Sequence, residues 1–331
     1  MKIAILAITV GGGRLAERLA GALGAARVLP RENKVAVSLK EAWADYDALV
    51  CIMSVGLVVR AIAPLCRDKY ADPCVVVLDE TGKFAVSLLS GHLGGGNALA
   101  GRIARITGGV PVITTASDTL GLTALDMWAR DNELLLRSPR PMMTEAAARM
   151  VNAGSLRIFT DCDISGLPAD FRRVDLSGDA DIIVSARTNN ACSAVHFSPR
   201  NLLMGIGCNR GTAAAAIEEA VDETCRRNGL DRQALAGCAT IDAKIDEQGL
   251  LEFAQRNIMP VHYFNRDRLN EVAGIAESEY AMAALGVKAV AEPAAILAAG
   301  IGGRQGRLII RKMKWKDVTT AVAERPLHFK D

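Results

Sequence analysis

The sequence predicts an α/β protein with an open, mostly parallel sheet domain at the N-terminus, a small α/β middle domain and a second α/β domain at the C-terminus. Three observations lead to this fold class. Short apolar runs alternate with amphipathic helical patterns along the chain. A strand, a glycine turn and a helix follow one another at both Ile3–Leu23 and Leu202–Arg227. The chain of 331 residues is long enough for about two domains of roughly 150 residues each, and 50% of its residues are hydrophobic, so it can bury a sizeable core.

The first domain is predicted over residues 1–138. Its strands are short apolar runs, several of them apolar on both faces: Ile3–Ile8, Ala48–Met53, Val75–Leu78, Ala85–Leu89 and Val110–Thr114. The helical patterns between them are Arg14–Leu23, Ser38–Trp43, Leu57–Ala63 and Leu99–Thr107. Open α/β sheets bind ligands beyond the carboxyl ends of their strands, so we expect the polar segments after three of these strands to converge on one sheet edge.

Two proline-containing breaks divide the rest of the chain. The first, Ser138–Pro141, opens a middle domain over 139–200, with a helix near Met142–Asn152 and weaker strands at Leu156–Thr160 and Asp181–Ser185. The second, Ser198–Asn201, opens the C-terminal domain over 201–331. That domain is predicted to contain strands at Leu202–Ile206, Val261–Phe264 and Leu308–Met313 and helices at Ala213–Arg227, Leu250–Arg256 and Pro293–Ala299.

Composition excludes several classes of protein. Lys and Arg number 39 and Asp and Glu 37, so the net charge of +2 does not suit a generic nucleic-acid or membrane-surface binder. Only 4% of the residues are aromatic, which leaves little material for stacking nucleic-acid bases. No apolar stretch is long enough for a membrane-spanning helix. The eight cysteines lack zinc or iron–sulfur spacing, and we expect reduced core thiols in a cytoplasmic protein.

The segment Ser90–Asn97, of sequence SGHLGGGN, carries the strongest chemical signal and lies between a predicted strand and a helix. His92 can exchange a proton near neutral pH. The glycines let backbone amides approach a bound group, and a helix N-terminus behind them favours an anion or an oxyanion. The candidate site residues here are Ser90, Gly91, His92, Gly94, Gly95, Gly96 and Asn97. A tight turn with a capping histidine is the alternative interpretation.

Two further strand ends in the first domain carry polar groups. In the segment SVGLVVR, Ser54 and Gly56 open a predicted helix, and Arg60 faces either a carboxylate ligand or an acidic partner. After the last predicted strand of this domain, two hydroxyls lie close in sequence to a carboxylate, in Thr115, Ser117 and Asp118. Helix capping is an adequate alternative for Ser54, Ser117 and Asp118.

The C-terminal domain contributes a second glycine-rich segment, Gly205–Thr212, between an apolar strand and an alanine-rich helix. It resembles an anion-binding turn but lacks the spacings of dinucleotide and Walker motifs, so a nucleotide is only weakly indicated. Gly207, Cys208 and Arg210 are its candidate binding residues. Lys244, in a charged cluster after a short strand, is the fourth candidate in this domain, with a solvated surface as the alternative.

Together these segments resemble the CbiG family of the anaerobic cobalamin pathway. The resemblance is carried by Ser54–Leu65, Lys69, Asp72-Pro73, Leu88–Gly95 and Val112–Ala116 in the N-terminal domain. It continues through Gly205–Cys208, Asp242–Lys244, Val290–Ala295, Lys312 and Thr319–Ala323 in the C-terminal domain. Coverage is nearly complete and weakest in the middle domain. Gly96 departs from the family pattern, which has alanine before Asn97, and a smaller residue should be tolerated there.

The resemblance implies a stand-alone cobalt-precorrin-5A hydrolase. Its substrate is a polycarboxylate tetrapyrrole that carries cobalt and a δ-lactone between the ring A acetate and the methyl-bearing former bridge carbon. Water opens the lactone, acetaldehyde leaves and cobalt-precorrin-5B is formed. Because the substrate carries the cobalt, we expect no cofactor and no protein metal site. The resemblance leaves open a homodimer and contacts with neighbouring pathway methyltransferases.

We hypothesise that His92 is the general base and that Asp118 orients it or shuttles a proton. Amides around Gly94–Gly96 would hold the oxyanion, and Arg60, Arg210 and Lys244 would bind substrate carboxylates. Three alternatives stay open at this point: a nucleotide-dependent enzyme, a non-catalytic tetrapyrrole carrier, and a hydrolase whose C-terminal module only binds substrate or a pathway partner.

Overall fold

The computed structural model describes residues 1–30, 34–68, 71–188, 193–303 and 305–330. The chain divides into two compact units, Met1–Met127 and Trp128–Asp331. The first unit therefore ends before the boundary predicted at residue 138. The reason is aromatic packing, since the Trp128 ring lies 4.8 Å from that of Phe171 and 6.3 Å from that of Phe197, both in the second unit.

Strands and helices alternate through the first unit. Its strands are β1 (Ile3–Ala7), β2 (Ala26–Val28), β3 (Ala48–Ile52), β4 (Cys74–Leu78), β5 (Phe84–Leu89) and β6 (Val110–Val112). Its helices are α1 (Val10–Leu23), α2 (Val35–Trp43), α3 (Val55–Ile62), α4 (Gly96–Thr107) and α5 (Ala116–Leu120), and α6 (Leu125–Asp131) crosses into the second unit. The predicted α/β fold class is confirmed.

Among the described residues, these strands form a six-stranded sheet in the order β2-β1-β3-β4-β5-β6. Strands β1 to β4 are parallel neighbours, but β5 pairs antiparallel with β4, as the partners Leu78↔Ala85 and Val75↔Leu89 show. Strand β6 is parallel to β5. The carboxyl ends of β5 and β6 consequently lie at the edge of the sheet opposite to the carboxyl ends of β1, β3 and β4.

The core of the first unit lies on both faces of this sheet. All five residues of β1, of β3 and of β4 are buried, which explains why these strands are apolar on both faces. Helices α1 and α4 cover one face through residues such as Leu19 and Ile103, and α2 and α3 cover the other through Leu39 and Val58.

The second unit begins with a sheet in the order β10-β8-β11-β12-β7, five strands among the described residues. They are β7 (Leu134–Leu136), β8 (Leu156–Thr160), β10 (Phe171–Arg173), β11 (Ile182–Val184) and β12 (Val195–Pro199), and helix α7 (Arg140–Ala153) precedes β8. β7 pairs antiparallel with β12, so part of the segment assigned to the N-terminal domain lies in this sheet. The short β9 (Ile164–Ser165) pairs with the last strand, β18 (Leu327–His328).

The remaining sheet has the order β15-β14-β13-β17-β16. Its strands are β13 (Leu202–Cys208), β14 (Leu235–Ile241), β15 (Val261–Phe264), β16 (Arg307–Lys314) and β17 (Val318–Glu324). Its helices are α8 (Ala214–Arg227), α9 (Gln248–Arg256), α10 (Arg266–Asn270), α11 (Glu279–Leu285) and α12 (Ala291–Ala299). β13, β14 and β15 are parallel, whereas β17 pairs antiparallel with both β13 and β16.

Gly205 allows β13 to pack closely against α12. A Cβ at this position would come within 1.8 Å of the carbonyl oxygen of Ala291 in α12. Because helix and strand are this close, only glycine fits here. The first part of the turn predicted over Gly205–Thr212 is regular strand, because β13 extends to Cys208; anion binding by Gly207 and Cys208 stays a prediction.

The described cysteines differ in their burial. Five are buried, whereas Cys66 is exposed and Cys208 is half-buried; the buried ones are Cys51, Cys74, Cys162, Cys225 and Cys238. Cys192 lies outside the described residues. Within the described part of the chain, none of the helices combines the length and the apolar character needed to cross a membrane.

Candidate functional site

The loop between β5 and α4 places His92 at the edge of the first sheet where β5 ends. Ser90 has a φ of +52°, a left-handed conformation uncommon for a residue with a side chain, and its hydroxyl donates to the carbonyl oxygen of Asp72. A Cβ on Gly94 would lie 2.6 Å from the carbonyl oxygen of Ser90. The tight course of the loop thus depends on glycine at this position.

His92 contacts two side chains that follow β6. Its Nε2 lies 3.0 Å from Ser117 Oγ, and its Nδ1 lies 3.7 Å from Asp118 Oδ2. The His92 side chain is 19% exposed and that of Asp118 is 39% exposed. The segments Ser90–Asn97 and Thr115–Asp118 therefore come together as expected, because β5 and β6 are parallel neighbours.

Asn97, in the first turn of α4, connects these two segments. Its Nδ2 donates to Thr115 Oγ1 at 3.0 Å and to Asp118 Oδ2. Gly91 packs directly against it, because a Cβ on Gly91 would lie 2.6 Å from Asn97 Oδ1. Asn97 therefore links Thr115 to the Asp118 carboxylate that lies beside the histidine, and substrate binding by Asn97 and Thr115 stays a prediction.

The amides proposed for the oxyanion are mostly engaged within the loop itself. The amide of Gly95 donates to the carbonyl oxygen of His92 at 2.9 Å, and that of Gly96 donates to the carbonyl oxygen of Ser90 at 3.2 Å. The predicted oxyanion hole around Gly94–Gly96 is therefore wrong for Gly95 and Gly96. Their hydrogen bonds instead close the loop onto α4.

The residues in contact around His92 are Asn97, Thr115, Ser117 and Asp118, and together they form the His92 cluster. This cluster does not include Ser54, Gly56 or Arg60. They follow β3, whose carboxyl end lies at the opposite edge of the sheet, because β5 is antiparallel to β4. Ser54 precedes α3 but makes no capping hydrogen bond with its side chain, and an Arg60 guanidinium nitrogen donates to the carbonyl oxygen of Gly56 at 3.2 Å. The predicted convergence of three polar strand ends on one edge is wrong. Lys69 lies outside the described residues.

A carboxylate occupies the N-terminus of α1, where a nucleotide phosphate would bind in a dinucleotide-binding fold. Glu80 accepts hydrogen bonds from the Thr9 hydroxyl and from the Gly12 amide, the latter at 2.9 Å. A Cβ on Gly11 would lie 2.3 Å from Glu80 Oε1, so the glycines make room for this carboxylate. A phosphate at this helix would meet a negative charge, which argues against the nucleotide-dependent enzyme.

The second unit contains a pocket between β13, β14, α11 and the β16–β17 hairpin. It encloses about 710 Å³ of empty space, part of it open to solvent. In the described part of its lining there are three lysines and one carboxylate, Asp317, so its charge favours an anionic ligand. The lining residues include Gly207, Cys208, Asn209, Thr240, Lys244, Tyr280, Lys312, Trp315, Lys316, Asp317 and Thr319.

Lys244 is the buried cation of this pocket, with 6% exposure. Its Nζ lies 3.4 Å from Glu247 Oε2, while Glu247 Oε1 accepts a hydrogen bond from the Gly211 amide at 2.8 Å. Thr240 is fully buried, and its hydroxyl has no hydrogen-bond partner among the described residues. The unsatisfied Thr240 hydroxyl is a group that a carboxylate would satisfy, and the Lys244 ammonium, already paired with Glu247, lines the same cavity.

Two other predicted residues of this domain differ in their surroundings. Burial raises the pKa of the Cys208 thiol, and the neighbouring Lys244 ammonium offsets part of that rise. Arg210 lies outside the pocket lining, because its guanidinium contacts Asp246 Oδ1 at 2.6 Å and the carbonyl oxygen of Ala243 at 3.0 Å. The structure therefore places Cys208 in the pocket and Arg210 beside it.

Several pocket residues were not among the candidates. Thr240, Tyr280, Trp315 and Lys316 carried no motif signal, because strands and turns far apart in the sequence bring them together. Lys312 was included only in the family resemblance. Within the described residues, no group of three or more His, Cys, Asp or Glu side chains is arranged to hold a metal ion.

The fold and the two sites define a two-unit α/β protein with a histidine–serine–aspartate cluster in the first unit and a lysine-lined pocket in the second. Residues 37–118 match the family model described as cobalamin synthesis G N-terminal, and residues 202–323 match the model described as cobalamin synthesis G C-terminus. The chain belongs to the CbiG family. The first match contains the His92 cluster, and the second contains the Lys244 pocket.

Two relatives named cobalt-precorrin-5A hydrolase are similar to this chain over most of its length. The cobalt-precorrin-5A hydrolase of Salmonella typhimurium is 32% identical over 341 aligned residues, covering 96% of each chain. The protein of the same name from Priestia megaterium is 31% identical, covering 89% of this chain and 83% of its own. A crystal structure of a putative cobalamin biosynthesis protein G homolog from Sulfolobus solfataricus aligns over 97% of this chain and 96% of its own, with 20% identity and a TM-score of 0.39.

Proposed function

We propose that this protein is a cobalt-precorrin-5A hydrolase, which opens the substrate δ-lactone with water and releases acetaldehyde to give cobalt-precorrin-5B. The observation that carries the proposal is the 32% identity with the Salmonella typhimurium hydrolase over 96% of both chains. Both candidate sites lie inside the two family-model matches, which supports a function that uses both.

Lactone opening requires a base that accepts a proton and later returns it to the leaving oxygen. His92 is the proposed base, because its ring nitrogens contact a hydroxyl and a carboxylate and its side chain is partly exposed. Asp118 stabilises the imidazolium that forms after proton uptake and keeps the ring oriented. The two residues act as one proton-transfer pair.

The Lys244 pocket is proposed to hold carboxylates of the substrate. The macrocycle carries many of them, and the pocket presents a buried ammonium, an unsatisfied hydroxyl and two further lysines. Gly207 and Cys208 form part of the wall of this pocket, on β13. Cobalt enters as part of the substrate, and the proposal assigns the chain no cofactor of its own.

The direct test is anaerobic incubation of the full chain with cobalt-precorrin-5A. Acetaldehyde is measured by coupled reduction, and the macrocycle is followed by mass spectrometry. We expect equimolar acetaldehyde and a product that has gained water and lost the two-carbon fragment. An unchanged macrocycle mass after many enzyme equivalents would exclude the hydrolase.

A non-catalytic tetrapyrrole carrier is the second candidate, and the pocket is the observation that favours it. The described lining includes lysines and hydroxyls but no histidine, so the pocket alone is suited to binding. A carrier would bind the substrate stoichiometrically without releasing acetaldehyde. A division of labour, with the second unit only binding, predicts instead that pocket variants change KM more than kcat.

We also propose a cytoplasmic location, on the basis of the cysteine pattern. Contacts with neighbouring pathway methyltransferases and a homodimer belong to the same proposal. Analytical ultracentrifugation of the full chain, alone and mixed with each methyltransferase, tests both associations.

A further inference from the structure

We propose that Ser117 is the nucleophile that opens the lactone, so that the reaction passes through an ester between Ser117 Oγ and the carboxyl carbon of the substrate. This inference rests on the proposed function, because it assumes a lactone substrate. It changes the role of the hydroxyl from binding the substrate to reacting with it.

The geometry around His92 is that of a serine activated by a histidine. Ser117 Oγ lies 3.0 Å from Nε2, and Asp118 Oδ2 lies on the other side of the ring, 3.7 Å from Nδ1. A carboxylate beside Nδ1 favours the tautomer with its proton on Nδ1, which leaves the Nε2 lone pair facing the Ser117 hydroxyl. Nδ1 is buried and has no hydrogen-bond partner within the described residues, so no donor to Nδ1 fixes the opposite tautomer.

The gap between His92 and Asp118 is wider than a hydrogen bond but typical of an unliganded site. Catalytic hydrogen bonds are often long without substrate and shorten in the complex. Asp118 accepts a hydrogen bond from Asn97, which holds the carboxylate on the Nδ1 side of the ring. A small movement of the imidazole therefore completes the contact.

A capping role does not account for the Ser117 hydroxyl. Thr115 is the residue before α5, whereas Ser117 lies inside this helix and its Oγ contacts the histidine. Thr119, on the same helix, shows the ordinary behaviour of a helical hydroxyl, because it donates to the carbonyl oxygen of Ala116 at 3.0 Å. Ser117 is also partly accessible, so a substrate carbonyl can reach it.

The step is balanced without any added reagent. Ser117 Oγ bonds to the lactone carbonyl carbon while its proton passes to His92 Nε2. The bond from that carbon to the ring oxygen then breaks, and the departing alkoxide takes the proton from His92. Water next attacks the ester and gives its proton to His92, and Ser117 Oγ leaves and recovers that proton. The net change is the addition of one water to the lactone.

The test compares Ser117→Ala with Thr119→Ala, which removes a hydroxyl from the same helix. We expect Ser117→Ala to release acetaldehyde at least 10³-fold more slowly and Thr119→Ala to stay within about twofold of wild type. In parallel, wild-type enzyme is quenched in acid during the first turnovers and digested for mass spectrometry. The expected result is a macrocycle ester on the peptide that contains Ser117.

Two other outcomes overturn different statements. Acetaldehyde release by Ser117→Ala within tenfold of the wild-type rate, with no ester on the wild-type peptide, would exclude the nucleophile and leave the hydrolase intact. A wild-type enzyme that leaves the lactone closed under the same conditions would overturn the proposed function and the nucleophile with it. Far-ultraviolet circular dichroism of both variants verifies that the comparison is made between folded proteins.

Discussion

The His92 cluster and the Lys244 pocket differ in how far their ionisable side chains are exposed to water. In the cluster, the ionisable side chains keep 19% and 39% exposure, and the groups in contact are a hydroxyl, an imidazole and a carboxylate. In the pocket, the lysine and its glutamate partner keep only 8% and 3% exposure of their side chains. Proton exchange requires access to a reacting group, whereas a fixed charge binds an anion more strongly when water is excluded.

The difference suggests a division of labour between chemistry and binding. Each unit also places a glutamate near the start of one helix: Glu80 accepts from the Gly12 amide in α1, and Glu247 accepts from the Gly211 amide in the turn before α8. Among the residues that the structure describes, only the second glutamate has a lysine partner, Lys244. The same strand–turn–helix architecture therefore leaves the first helix start negative and provides the second with a cation that faces a cavity.

Among the variants that test this division of labour between chemistry and binding, His92→Ala should have the largest effect. Loss of a general base typically lowers the rate by about 10²–10⁴-fold, so kcat for acetaldehyde release should fall by that amount with little change in KM. The matched control is His328→Ala, because His328 also contacts a serine hydroxyl, Ser165 Oγ at 3.0 Å. Equal losses in the two variants would show that the His92 effect is structural, and the comparison between the regions would fail.

Lys244→Met should have the next largest effect, and this effect should be on substrate binding. A charge-assisted hydrogen bond contributes about 1.5–3 kcal/mol, so KM should rise roughly 10- to 100-fold while kcat changes little. Lys316→Met, which removes an exposed lysine from the same lining, should raise KM only a fewfold. A fall in kcat at unchanged KM in Lys244→Met would assign chemistry to the pocket and contradict the division.

The sequence predicted the fold class and most element positions because hydrophobic periodicity determines them directly. Strand Leu156–Thr160 was predicted with its observed bounds, and β1, β3 and β4 differ from prediction by a residue at one end. The pairing of Ser90–Asn97 with Thr115–Asp118 also followed from the sequence, because each segment ends a strand and the two strands are neighbours.

The direction of each strand in the sheet could not be predicted from the sequence. An apolar strand such as β5 has the same composition whether it runs parallel or antiparallel to its neighbour, yet the direction decides at which edge its polar end lies. This is why Ser54 and Arg60 were assigned to the wrong edge. The pocket was incompletely predicted for a related reason, since Thr240 and Trp315 meet only through the pairing of distant strands.

The smallest expected effect uses Cys208 as a reporter of the pocket. Burial raises the pKa of its thiol, and the Lys244 ammonium lowers it in part, so removal of that ammonium should raise the pKa further. At pH 8 a higher pKa means less thiolate, and Cys208 of Lys244→Met should react with iodoacetamide a fewfold more slowly than in wild type. The difference should vanish once the pH exceeds both pKa values, because the thiol is then ionised in both proteins.

Cys66 provides the internal control for this measurement. It lies in the first unit, where burial and the charge of Asp72 raise the pKa of its thiol, so its alkylation should be the same in both proteins. Peptide-resolved mass spectrometry measures the two cysteines in one sample. Faster alkylation of Cys208 in Lys244→Met would mean that the lysine shields the thiol sterically and does not stabilise a negative charge in the pocket. This result would contradict the electrostatic part of the comparison, because the pocket would then lack the positive potential that binding of a carboxylate requires.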